Sequence, residues 1–202
     1  MWLRNLIYST KSTCLAVLLI LVCQGPLLAD NSREVQDLLK QRLDSVLVVL
    51  QNEKMSYKAK KDEVSRIVTP MFDFPLMAKL TMGRKHWPTM TRQQQEKFTT
   101  LFVDLLRGTY LDRISLYTDE QVVIKNAAEV NRKVHILTDL VSKGNNISML
   151  YKFYRKANGW KIYDLEIQGI SLIVSYRNQF DEILSTGTIN DLIEQLEHPE
   201  KT

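Results

Sequence analysis

The sequence predicts an α+β fold: helices packed on one face of a curved four-stranded antiparallel sheet. Two changes of period predict it. From Val35 to Leu106 the apolar residues recur every third or fourth position, as on helices. From Glu120 the period is two, and after Gly169 it returns to the helical spacing.

The first helix is "SREVQDLLKQRLDSVLVVLQ", with Val35, Leu38, Leu39, Leu43, Val46, Leu47 and Leu50 on one face and Ser32 as its cap. "KKDEVSRIVTPMF" is a second helix, which Pro70 ends or distorts. "DFPLMAKLTMG" is a short third, with Asp73 as cap, Pro75 in the first turn and Gly83 past the end. "TRQQQEKFTTLFVDLLRGTYLDRI" is the longest; Thr91 and Gln94 form a capping-box pattern. Gly108 inside it costs about 1 kcal/mol against Ala, which points to close packing or a bend.

"QVVIKNA", "RKVHILTDLV", "ISMLYKFYRK" and "WKIYDLEIQ" read as four strands, with hairpin turns at "SKGNN" and "ANG". Ile147, Met149, Tyr151 and Phe153 share one face of the third strand. Tyr163, Leu165 and Ile167 share one face of the fourth, with Asp164, Glu166 and Gln168 opposite. That alternation predicts a sheet packed on one side and wet on the other. Ser171 then caps a helix carrying Leu172, Tyr176, Phe180, Ile183 and Leu184, and Thr188 caps a last short one.

The start of the chain indicates a compartment. Residues 1–11 carry Arg4 and Lys11 and no acid, and Leu15 to Val22 is an unbroken apolar run. That run falls short of the roughly 20 residues that span a bilayer. It fits a signal peptide over residues 1–29, cleaved after Ala29, although Leu27 is large for its place. An uncleaved N-terminal anchor is the other reading. A lipoprotein signal would want a small residue where Val22 precedes Cys23. Both cysteines, Cys14 and Cys23, lie in this segment. Residues 30–202 therefore form a single domain, stabilised by burial without disulfides. Beyond residue 29 the chain has 25 basic and 23 acidic residues, and such near-neutrality argues against nucleic acid as a partner. The basic cluster Lys54, Lys58, Lys60, Lys61 and Arg66 reads as a solvated face.

Reactive chemistry is sparse. His86, His135 and His198 are too scattered to make a metal site. Asp164 and Glu166 lie on one side of a strand, as an acid–base pair or simply an exposed face. No nucleophile-elbow, metalloprotease, Walker or dinucleotide-binding pattern occurs. The apolar inventory is richer: Phe72, Phe74, Met77, Leu80 and Met82 crowd one short segment. Met and aromatic side chains fill cores, and they also line sites for flexible apolar ligands. Periodicity does not separate the two.

Three segments resemble one family. "MGRKHWPTMTRQQQEKFTTLFVDLLRGTYLDRI" is similar to the G-x-x-W…T-x-x-Q-x-x-x-F…LL-x-x-T-Y segment of the MlaC family, the periplasmic phospholipid-binding proteins of the maintenance-of-lipid-asymmetry system. "GWKIYDLEIQGISLIVSYRNQF" resembles its W-x-x-Y-D…G-[IV]-S-L…Y-R-x-x-F block, and "FDFPLMAKLTMG" its F-D-F segment. One departure is an extra residue between Gly83 and Trp87.

The resemblance implies that helices and sheet enclose a hydrophobic pocket, and it implies no reaction chemistry and no cofactor. It also implies a soluble periplasmic phospholipid carrier between two partners, an inner-membrane ABC transporter bearing an MCE-type protein and an outer-membrane lipoprotein–porin complex. The expected lining residues are Phe72, Met77, Leu80, Phe102, Leu106, Ile136, Met149, Tyr151, Phe153, Leu172 and Tyr176; Tyr176 and Arg177 are candidates for the rim, and Arg177 reads more readily as a surface salt-bridge residue. Three alternatives stay open: a carrier of another lipid such as a hopanoid, an isomerase- or hydratase-type pocket enzyme, and an interaction module whose core is filled.

Overall fold

In the computed structural model the described residues are 31–111, 121–142 and 145–199. The expected signal peptide, the last three residues of the expected longest helix, and Lys143 and Gly144 of one hairpin lie outside them.

Helix α1 (Asn31–Leu50) buries Val35, Leu39, Val46 and Leu50. It starts one residue before Ser32, so Ser32 lies inside the helix and not at its cap. Helix α2 (Tyr57–Val68) begins earlier than its apolar pattern does, because Ser56 accepts the Ala59 N–H as N-cap. A 3₁₀ turn at Thr69–Met71 absorbs Pro70. Helix α3 (Phe74–His86) is capped by Asp73, but Gly83 does not end it. Gly83 adopts φ 62°, ψ −170°, and the chain resumes a helical turn after the kink. That extra turn holds the residue added before Trp87, which leads into a second 3₁₀ turn, Trp87–Thr89.

Helix α4 (Arg92–Leu106) has the expected reciprocal capping box of Thr91 and Gln94. It gives way to a π turn at Arg107–Leu111. Nothing lies within 4 Å of where a Cβ on Gly108 would stand, so the glycine marks this change of winding and not a close contact.

The sheet has five strands where four are expected, in the order β1 (Gln121–Val130), β2 (Lys133–Ser142), β3 (Asn145–Lys156), β4 (Gly159–Ile167) and β5 (Ile170–Ser171). All neighbours are antiparallel. The fifth strand exists because Gln168 and Gly169, both at positive φ, turn the chain back onto β4. Bulges interrupt the β1–β2 and β3–β4 registers and curve the sheet. Ser171 caps α5 (Leu172–Thr186), and Thr188 caps α6 (Ile189–Glu197).

The bulge in β4 corrects the sequence reading. Lys152 pairs with Asp164 and Phe153 with Ile162, so Tyr163 is the extra residue. Leu165 and Ile167 stay on the inner face, opposite Tyr151 and Met149. Tyr163 does not join them. Its hydroxyl lies 3.3 Å from His135 Nε2, and Lys133 Nζ sits 4.5 Å above its ring, on the outer face.

Candidate functional site

Cross-strand register places Val134, Phe153 and Ile162 in one inner-face row, and Ile136, Tyr151 and Leu165 in the next. Val35 and Leu39 of α1 cover the first of these rows, whose three residues are wholly buried. Toward the opposite end of the sheet the cover thins. Met149, Ile167, Leu140 and Ile147 are half-buried, and Ile170, opposite Ile167, is 63 % exposed.

The apolar interior is divided. One cluster joins α3, α4, α5 and α6 around Met77, Phe98, Phe102, Leu172, Tyr176 and Phe180. A second joins α1 to the sheet around Val35, Leu39, Ile136, Tyr151, Phe153 and Ile162. Among the described residues two side chains, Phe72 and Leu165, pack against both. A third, small cluster lies between α1 and α2. A domain of this size ordinarily builds one contiguous core; this one has a seam between a helical half and a sheet half.

The expected lining residues fall on both sides of that seam. Met77, Phe102, Leu106, Leu172 and Tyr176 belong to the helical cluster, with Leu80 packed against it. Ile136, Tyr151 and Phe153 belong to the sheet cluster, with Met149 packed against it. Phe72 is the one member of the set that touches both. Phe72, Leu80 and Met149 keep exposed surface; the other eight are buried. Phe102 stands among rings, with centroids 5.5 Å from Tyr176 and 6.0 Å from Phe98. Burial pushes the Tyr151 phenol up to about 12, against a hydrogen bond with Thr138, so it stays neutral. Leu165 lies outside the expected set although it bridges both clusters; its place in the β4 alternation is the signal that marks it.

Two buried carboxylates flank the seam. Asp73 is 4 % exposed. It caps α3 through the Leu76 N–H, accepts the Tyr154 hydroxyl, and lies 2.7 Å from Lys156 Nζ. Burial opposes its ionisation, but the bonds from Lys156, Tyr154 and Leu76 outweigh it and hold the carboxyl below the usual range. Asp164 is 5 % exposed and not on a wet face. It accepts the Ser171 hydroxyl at 2.8 Å and the Ile173 N–H at 3.3 Å, in the first turn of α5, and pairs with Lys152 at 3.0 Å. Lys152 also meets Glu166. Burial opposes the Lys152 charge, and the two carboxylates more than compensate, raising its pKa. Asp164 and Glu166 are thus neutralised from one strand away, not poised as an acid–base pair.

The remaining candidates have structural partners. Arg177 bonds the Leu80 carbonyl with Nε at 3.0 Å and Nη2 at 2.6 Å, closing the α3 helix before its kink. His86 Nε2 lies 2.8 Å from Asp181 Oδ1. In the basic cluster, Lys58 pairs with Asp62, Arg66 with Glu63, and Lys60 bonds the Leu50 carbonyl. A surface groove of about 370 Å³ between α1 and α2, lined by Arg42, Val48, Val49, Arg66 and Ile67 among others, shares no residue with the seam. Among the described residues no His, Cys, Asp or Glu cluster could hold a metal ion, and no helix is long and apolar enough to cross a membrane.

Comparison with known proteins identifies this arrangement. The family model described as MlaC protein matches residues 40–198. The chain belongs to the MlaC family. An MlaC relative from Haemophilus influenzae, named as the binding protein of an intermembrane phospholipid transport system, is 24 % identical over 119 residues. That match spans 55 % of each chain, so this protein aligns with about half of that relative's length. A phospholipid-binding protein from Ralstonia solanacearum, solved in complex with a phospholipid, superposes with a TM-score of 0.72 and 26 % identity. The superposition covers 80 % of this chain and 94 % of that one. The MlaC-like motifs acquire a physical meaning here. The aspartate of F-D-F caps α3, and the aspartate of Y-D bonds the serine of G-I-S across the β4–β5 turn.

Proposed function

We propose that this protein is a periplasmic phospholipid carrier and not an enzyme. In this reading residues 1–29 are a cleaved signal peptide and 30–202 the lipid-binding domain. It shuttles lipid between an outer-membrane lipoprotein–porin complex and an inner-membrane ABC transporter with its MCE-type protein. The observation that carries the reading is the divided core: an apolar seam, bordered by the half-buried Phe72, Leu80, Met149, Leu165 and Ile167, in a fold similar to one solved with a phospholipid. The acyl chains lie along this seam. Phe72, Met77, Leu80, Phe102, Leu106, Ile136, Met149, Tyr151, Phe153, Leu172 and Tyr176 form its walls, and the head group stays at the rim.

The energetics explain why such a wall needs no reactive group. Two acyl chains carry on the order of 30 methylenes, each worth about 0.8 kcal/mol on leaving water. A free phospholipid therefore faces a penalty of about 25 kcal/mol by the same rule. Only comparable apolar surface offsets it. An enzyme would instead need an acid or base facing the seam, and Asp73 and Asp164 are committed to helix caps and lysines.

Mass spectrometry of solvent extracts tests the reading, using protein purified from the periplasm of cells expressing the full chain. Co-purified phospholipid near one molecule per protein, and uptake of labelled phospholipid from liposomes, are expected. Lipid-free protein that takes up no label would refute it, and a hopanoid in place of phospholipid would change the cargo.

A further inference from the structure

Helix α3 carries three cations besides His86, namely Lys79, Arg84 and Lys85, and no acid. All three are exposed, and among the described residues none of them makes an ion pair. Two of them stand on the turn that this chain adds. The G-x-x-W spacing puts a tryptophan three residues after the glycine; here Trp87 is four after Gly83. Gly83, at φ 62°, turns the chain aside, and the Trp87 N–H returns to the Gly83 carbonyl, closing one turn around Arg84, Lys85 and His86. The His86 side chain is buried against α5, its Nε2 2.8 Å from Asp181 Oδ1. Gln95 of α4 holds the Trp87 carbonyl at 3.1 Å. Two helices thus fix the turn from behind, and it shows Arg84 and Lys85 to solvent.

This turn adjoins the edge of the seam. Arg177 of α5 bonds the carbonyl of Leu80, the neighbour of Lys79, and a Cβ on Gly83 would stand 3.6 Å from Arg177 Nε. Val174, one turn before Arg177 on the same side of α5, is 49 % exposed. Ile170, opposite Ile167, is more exposed still. Cations and exposed aliphatic side chains therefore share one margin of the molecule, beside Leu80 and Ile167. The acids there are few: α5 has two, Asp181, taken by His86, and Glu182.

We propose that this margin is a docking surface for an anionic phospholipid bilayer, with Lys79, Arg84 and Lys85 against the head groups and Val174 and Ile170 at the acyl boundary. Charge complementarity selects that partner. A chain close to neutral beyond residue 29 gathers unpaired cations here, and each Lys or Arg near an anionic membrane strengthens binding about fivefold. Aliphatic side chains beside them add to it where they enter the interface. A protein partner fits less well, because lysine is depleted at the centre of protein interfaces and aromatic anchors are enriched there. Docking sets the edge of the seam against the bilayer. That use of the surface rests on the carrier reading; the docking itself does not.

Co-flotation with vesicles tests the surface, using vesicles of phosphatidylcholine alone and of phosphatidylcholine mixed with phosphatidylglycerol. Wild type should float with the mixed vesicles only, and added NaCl should weaken the binding. The double variant Arg84→Gln with Lys85→Gln should bind about 25-fold more weakly, fivefold for each charge. The double variant Arg42→Gln with Lys54→Gln removes the same charge from exposed, unpaired cations of α1 and the turn after it, and should bind as wild type does. Ile170→Ser should weaken the binding that remains in NaCl, and no effect would strike Ile170 from the surface. Wild type that floats with neither vesicle overturns the proposal and leaves an acidic protein face as the partner. Equal losses in the two double variants also overturn it, since net charge alone then accounts for binding. All of these side chains are exposed, and circular dichroism confirms that each variant folds. Wild type that floats yet takes up no labelled phospholipid refutes the carrier reading and leaves the docking surface standing.

Discussion

Lys156 Nζ and Asp73 Oδ2 meet at 2.7 Å, joining the end of β3 to the first turn of α3. The lysine side chain is half exposed while the carboxylate is buried. The bond therefore draws its worth from what surrounds the acid: the Tyr154 hydroxyl and the Leu76 N–H share the same carboxylate. Replacing Asp73 with Ala removes a helix cap worth about 1 kcal/mol. It also takes the partner from the partly buried Tyr154 hydroxyl and from Lys156, at about 1–3 kcal/mol more. Urea unfolding of Asp73→Ala should show a loss of about 2–4 kcal/mol, read as a lower midpoint at unchanged slope.

Acid should weaken the fold in two windows. His135 has its pKa lowered by burial first and then by Lys152 and Lys133. The unfolded chain takes up that proton first, so stability falls as pH drops below about 6.5 toward the lowered folded value. The Asp73 carboxyl is held below its ordinary value in the fold. Its contribution is present above about pH 4 and is lost as pH falls through the folded pKa. Urea midpoints measured from pH 7 to pH 3 should lose the upper window in His135→Gln and show a smaller lower one in Asp73→Asn, a remainder being expected because Asp139 and Asp191 are also held below their ordinary values.

Gly83 occupies a backbone region, φ 62° with ψ −170°, that is essentially open to glycine alone. A Cβ there would meet Arg177 Nε at 3.6 Å, an ordinary contact. The cost of Gly83→Ala is thus backbone strain, about 1–3 kcal/mol. Calorimetry should report the matching fall in melting temperature, with the fold retained.

Arg177 gives two donors to the Leu80 carbonyl. Arg177→Met leaves that half-buried oxygen without its partner, costing about 1–3 kcal/mol. Arg177→Lys should recover only part of the loss, because an ammonium lacks the planar fork. Denaturation of both variants checks the order.

A charge placed in the seam should oppose lipid more than a charge on the surface groove. Phe72→Glu is expected to abolish co-purified phospholipid, since an unpaired carboxylate among acyl chains is costly. Val48→Glu, in the groove between α1 and α2, should retain it. Lipid extraction from both variants, each first shown folded by circular dichroism, makes the comparison.

The local elements were legible because their causes are local. Asp73, Thr91, Ser171 and Thr188 cap helices where their side chains reach a free N–H within three residues. Alternation in β2 and β3 placed Ile136, Tyr151 and Phe153 inside, where they are buried. The three MlaC-like segments pointed to the family to which the chain belongs.

What sequence alone determined is therefore the α+β class, most element boundaries and the apolar composition of the interior. The tertiary structure decided how that interior is partitioned and which carboxylates are buried. Tyr163 turns outward because β3 is one residue shorter across the bulge, a fact of pairing that β4 does not encode by itself. Asp164 looks solvent-facing in its own strand, and it is buried because Lys152 and the start of α5 close over it from elsewhere in the chain. Periodicity reports which side chains turn inward; only the packing of distant segments determines which neighbours they meet, and here it divides them across a seam.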